Sequence, residues 1–108
     1  NIANATPTPA PPLDPQAPVS VVGASVFGYY DRGAATPAGN IPAGTLVQPV
    51  ARSYAQFSRM ILVRGDGFEL FVDYENTTMD PTQFERLGDV NVITVNTVCR
   101  VEWCGTPP

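Results

Sequence analysis

The sequence predicts an all-β domain, a small barrel or sandwich of about six strands with one short helix near 81–87. Three observations carry that expectation. Runs rich in β-branched and aromatic residues recur along the chain, separated by Gly, Pro, Asn and Asp. One stretch, RMILVRGDGFELFVDY (59–74), has the form of a β-hairpin. Only one segment, DPTQFERLG (80–88), carries helix-start and helix-stop signals.

The first 18 residues belong to none of these elements. Of the 12 prolines in the 108-residue chain, Pro7, Pro9, Pro11, Pro12, Pro15 and Pro18 fall here. Such a run excludes a helix or a central strand. Residues 1–18 are therefore read as an extended arm and 19–108 as the single β domain. In polyproline II the arm reaches about 55 Å, far enough to leave its own body.

From Val19 the texture changes. VSVVGASVFGYY (19–30) reads as strand, with Gly23 or Gly28 marking a bend or bulge, and DRGAATPAGN (31–40) as loop. GTLVQPVAR (44–52) is a strand whose Pro49 belongs at an edge or a bulge. In the hairpin, Asp66-Gly67 fits a type I′ turn, and that register sets Arg64 opposite Glu69. It also puts Ile61, Val63, Leu70 and Val72 on one face and Met60, Leu62 and Phe71 on the other. A half-exposed hairpin would alternate apolar with polar. The face of Met60, Leu62 and Phe71 is thus expected to dock against something, in this chain or in a neighbour.

In DPTQFERLG, Asp80 is the expected N-cap, Pro81 the first helical residue, Gln83 the partner in a capping box and Gly88 the terminator. Phe84 and Leu87 would dock the helix on the sheet. DVNVITVNTVCRVEW (89–103) supplies two more strands.

Composition narrows the function. The net charge is −4, with no Lys, so neither a nucleic-acid footprint nor a polybasic membrane patch is present. No apolar run nears the roughly 20 residues of a membrane span. No secretory leader is visible; removal of one would leave Asn1 as the mature N-terminus. Histidine is absent, which removes the commonest general base, the usual Ser and Cys triads and most zinc sites. Asp73, Glu75 and Asp80 could supply oxygen ligands to calcium, but lack EF-hand spacing and read as a solvated loop. The chain is read as a non-enzyme without cofactor or metal.

Cys99 and Cys104 flank CRVEWC. An intrachain bridge requires a sharp reversal between them, because straight strand would hold them about 16 Å apart. Free thiols and an interchain bridge are the alternatives. A bridge would place the chain in an oxidising compartment, extracellular or at the cell surface. Asn4-Ala5-Thr6 and Asn76-Thr77-Thr78 match the N-glycosylation pattern, and Thr6 and Thr8 beside prolines suit O-linked sugar. Arg64-Gly65-Asp66 spells an adhesion tripeptide, but the turn alone explains it. Tyr29, Tyr30, Tyr54, Tyr74 and Trp103 could line an aromatic groove for sugar or a proline-rich peptide, the arm itself among the ligands.

Residues 40–76, through Ala43-Gly44-Thr45, Ser58–Arg64 and Gly67–Tyr74, resemble bacterial Src-homology-3-like domains. That resemblance implies an extracytoplasmic binding module. The organisation, an extended arm ahead of a small β domain, resembles subunits of pili and fibres that assemble by arm or strand donation. It implies a filament of identical copies, with Ile2, Leu13, Val19 and Val21 as the anchors of the donated arm. Two functions follow: a structural subunit polymerising through its arm, which the sequence favours, or a monomeric module that binds glycan or peptide.

Overall fold

The computed structural model describes residues 14–24, 26–53, 58–89, 94–95 and 99–104. Six strands, β1 (Val19–Ser20), β2 (Val26–Tyr29), β3 (Pro37–Ile41), β4 (Leu46–Arg52), β5 (Met60–Gly65) and β6 (Phe68–Asp73), make an antiparallel sheet in the order β1-β4-β5-β6-β2-β3. A 3₁₀ turn, Tyr74–Asn76, follows β6, and the helix α1 spans Pro81–Arg86. The all-β expectation with one short helix is met.

After the 3₁₀ turn the chain comes back to β1. Thr77 bridges Val21, and the Thr78 amide donates to the Ser20 carbonyl at 2.9 Å. β1 is thus paired on one side with β4 and on the other with residues 77–78. Ile61, Val63, Leu70 and Val72, which share one face of the β5–β6 hairpin, are fully buried.

The hairpin register is the expected one, with Arg64 opposite Glu69 and a 2.8 Å ion pair between them. The turn differs. Gly67 has φ +85° while Asp66 does not enter the positive region. A single positive φ at the second central residue marks a type II turn, where type I′ needs two. The 19–30 run breaks at Gly23 into β1 and β2, and β2 carries a bulge at Gly28/Tyr29. Pro49 sits beside a bulge: the β4–β5 register shifts between Pro49 and Ala51, which spares the missing N–H.

The second hairpin face is covered by this chain itself, the first of the two expected alternatives, and the reading of it as a docking face for a neighbour is corrected. Met60, Leu62 and Phe71 are buried, Phe71 completely, and belong to the same core cluster as the inner face. They form no docking surface. The segment after α1 is fixed around the hairpin at three places. The Arg52 amide donates to Gly88 O, the Val95 amide to Tyr30 O, and the Arg100 amide to Gly67 O, all at 2.8 Å. Leu87, Val95 and Cys99 from that segment join the core. The expected pair of strands at 89–103 appears, among the described residues, only as isolated bridges: Asp89 to Arg52, Thr94 to Asp31 and Cys104 to Gly39.

α1 starts as the sequence implies, with Asp80 Oδ1 accepting from the Gln83 amide at 2.8 Å. The other half of the capping box is absent. The Gln83 side chain turns away and donates through Nε2 to Pro15 O (3.2 Å) and Ala17 O (3.0 Å). Gln16 Nε2 donates in turn to Val50 O at 2.9 Å. These bonds fasten the root of the arm to its own domain. Leu87 is buried, and Phe84 stacks on Tyr74 at 4.1 Å with Arg52 over its outer face.

Candidate binding groove

Alternation along β2 divides its side chains. Val26, Gly28 and Tyr30 face the core, while Phe27 and Tyr29 face outward. Phe27 stays 42 % exposed, with the Tyr29 ring 6.2 Å behind it. β3 pairs with β2 and sets Asn40 opposite Phe27. Nothing in Pro-Ala-Gly-Asn favours a strand by propensity. Its pairing partners impose the conformation, β2 on one side and Cys104 on the other.

The opposite wall is the disulfide loop. Cys99 and Cys104 are bridged within the chain, their Cα atoms 6.1 Å apart. The Cys104 amide donates to Val101 O at 3.1 Å, which is the reversal a short bridge needs. Trp103 stands at this reversal and meets the Phe68 ring edge-on at 4.9 Å. The loop is seated on two glycines. At Gly39 a side chain would overlap the Trp103 carbonyl, and at Gly67 a Cβ would come within 3.2 Å of Val101.

Between these walls lies an open groove of about 360 Å³, lined by Phe27, Pro37, Ala38, Gly39, Asn40 and Trp103. None of these residues ionises, so the groove holds no nucleophile, acid or base. It offers two aromatic residues, Phe27 and Trp103. Such a surface suits flat, weakly polar ligand faces: the C–H face of a sugar or the ring of a proline.

The lining of this groove differs from the expected set of aromatic residues. Trp103 lines it and Tyr29 supports it. Tyr30 is in the core at 1 % exposure, Tyr74 is stacked on Phe84, and Tyr54 lies outside the described residues. Phe27 and Pro37 are the residues that the list of tyrosines missed. The two-residue period of VFGYY was the signal for Phe27.

Of the expected arm anchors, Val19 and Val21 are corrected: both are buried in their own domain, paired with β4 and with Thr77. Ile2 and Leu13 lie outside the described residues, as do Asn4, Thr6 and Thr8. Asn76 is exposed at the end of the 3₁₀ turn, and the hydroxyl of Thr77 donates to Tyr74 O at 2.6 Å. Asp73 caps that turn, accepting from the Glu75 amide, and pairs with Arg59 at 3.0 Å. The hydrogen bond that Arg59 donates to Asp73, with the charge of that carboxylate, raises the Arg59 pKa above its ordinary value. Among the described residues no cluster of side chains could hold a metal ion, and no helix is long and apolar enough to cross a membrane. No protein family, curated protein or solved structure matches the chain.

Proposed function

We propose that this chain is an extracytoplasmic binding module of Src-homology-3-like type that takes a neutral glycan or peptide across Phe27 and Trp103. The groove is the observation that carries this reading. Phe27, exposed on β2, and Trp103, held on the disulfide loop, line the same groove, and no residue lining it ionises.

Further support comes from the stretch that carries the family resemblance. Ala43-Gly44-Thr45 forms a turn, with Gly44 at φ +86° and the Thr45 amide bonded to Pro42 O, and leads into β4. Ser58–Arg64 and Gly67–Tyr74 supply the central hairpin. The disulfide favours an oxidising compartment. Of the features behind the filament reading, the doubly apolar hairpin packs within this chain at Met60, Leu62 and Phe71, and the root of the arm is bonded to it through Gln16 and Gln83. That is why the binding reading is preferred.

Trp103 is the only tryptophan in the sequence, so its emission and its indole N–H resonance report the groove directly. Neutral oligosaccharides should perturb both saturably. Phe27→Ala should weaken that binding by roughly tenfold, the equivalent of about 1.4 kcal/mol and within the range of one aromatic stacking partner. An unperturbed Trp103 across oligosaccharides and proline-rich peptides would refute the assignment.

A further inference from the structure

The motif Asn76-Thr77-Thr78 stands apart from the groove, and none of its residues lines it. The fold uses the backbone of this motif and leaves its acceptor group free. Asn76 O accepts from the Val22 amide at 3.0 Å, and the Thr77 amide donates to Tyr74 O at 3.0 Å. The Asn76 side chain is exposed, and its carboxamide makes no hydrogen bond among the described residues. Asp73 and Thr77 cap the 3₁₀ turn, so capping does not require an asparagine at position 76. Space around the carboxamide is open. Glu75 and Thr78 are exposed, and Asn76 Oδ1 lies 4.0 Å from the point that a Cβ on Gly23 would occupy. Gly23 and Ala24 present little bulk there.

Thr78 supplies the hydroxyl that an N-glycan acceptor carries two residues after its asparagine. In the fold that hydroxyl is engaged. Its Oγ1 accepts from the Ser20 amide at 3.0 Å, while the Thr78 amide donates to Ser20 O at 2.9 Å. Thr77 is buried and bridged to Val21. The motif is thus tied to residues 20–22 along its whole length.

We propose that Asn76 is an N-glycan acceptor, modified before residues 76–78 dock on residues 20–22. The order follows from the bonding: a docked motif presents a Thr78 hydroxyl and a backbone that are already taken. In the transfer, Asn76 Nδ2 attacks the anomeric carbon of an oligosaccharide carried on a lipid diphosphate. The bond from that carbon to the phosphate oxygen breaks, the lipid diphosphate leaves with the electron pair, and the amide nitrogen gives one proton to a base of the transferase. The attached sugar then projects from an exposed side chain and leaves the bonds to Ser20 and Val22 in place. The oxidising compartment that the disulfide favours suits this modification.

The test uses the full chain, directed to the secretory compartment of a eukaryotic cell, and its Asn76→Gln variant. Trypsin releases Gly65–Arg86, which holds Asn76 and no second motif of this kind. From the native chain that peptide should carry an oligosaccharide, and a peptide N-glycosidase should remove it and leave an aspartate in place of the asparagine. The variant should keep the far-UV circular dichroism of the native chain and yield the peptide bare. A second arm offers unmodified chain to a purified oligosaccharyl transferase with a lipid-diphosphate-linked oligosaccharide. The folded chain should be modified about tenfold more slowly, or worse, than the reduced and unfolded chain, because it must first open locally. A bare Gly65–Arg86 peptide from the secreted native chain would overturn the assignment of Asn76. Equal rates for the folded and the unfolded chain would overturn the order of events.

Discussion

Gly39 and Trp103 meet backbone to backbone. The α-carbon of Gly39 faces the Trp103 carbonyl so closely that a methyl group there would overlap it, with the Cys104 Cα 2.9 Å from the same point. This contact seats the disulfide loop on β3 and so builds one wall of the groove. Neither partner can yield as a flexible side chain would. Gly39→Ala is therefore expected to lower stability by about 1–3 kcal/mol, the usual cost of overpacking. It should also shift Trp103 emission. Gly88→Ala, where a Cβ meets nothing within 4 Å, is the control and should stay within about 1 kcal/mol of the native protein in thermal unfolding.

Reduction of the disulfide should act on the same wall. The bridge closes only a short loop, Cys99 to Cys104, for which chain entropy gives about 2 kcal/mol. The β4–β5–β6 ladders do not depend on it. A reductant should leave far-UV circular dichroism nearly unchanged while Trp103 emission moves to longer wavelength and ligand binding is lost. Retention of binding after full reduction would show that the loop is not what positions Trp103.

Gln83 does two jobs from one position. Its backbone amide is capped by Asp80, and its side chain holds two carbonyls of the arm root, Pro15 and Ala17. Gln83→Ala removes both bonds and leaves those carbonyls to water or to nothing. A loss of about 1–2 kcal/mol is expected, together with faster proteolytic cleavage near residues 14–18. Limited proteolysis followed by mass spectrometry measures it. An unchanged cleavage pattern would mean the root is held elsewhere.

Tyr30 carries its hydroxyl into the core with no hydrogen-bond partner among the described residues. Removing an unpaired polar atom costs nothing and relieves its desolvation. Tyr30→Phe should match or exceed the native stability in chemical unfolding. Tyr30→Ala, which empties a fully buried site, should cost about 3–5 kcal/mol.

Much of this architecture was legible in residue order. The Arg64–Glu69 pairing across Asp66-Gly67 specifies the central register, because a shift by one residue would set Leu62 against a carboxylate. Asp80 and Pro81 mark the start of α1. Legibility fails where structure is imposed by partners. β3 is built from Pro37, Ala38, Gly39 and Asn40, residues that read as loop, and exists because β2 and Cys104 pair with it. The reverse holds at 89–103, where β-branched content reads as strand but Asp89 and Thr94 each make one bridge. The arm was misjudged at its base for a similar reason. Nothing local in Gln83 reveals that its side chain will abandon the helix cap for Pro15 and Ala17, 68 and 66 residues away. At the groove, Trp103 was visible by its uniqueness. The tyrosines were misleading because strand parity sends Tyr30 inward and Phe27 outward.

The most direct measurement is a titration of the Trp103 indole N–H resonance with neutral oligosaccharide and with proline-rich peptide, in native protein and Phe27→Ala, from about pH 5 to pH 9 and at two salt concentrations. With no titratable side chain in the groove and no histidine in the sequence, binding should be saturable, dependent on Phe27, and flat with both pH and salt. Binding that needs low salt, follows pH, or ignores the loss of Phe27 would contradict the account.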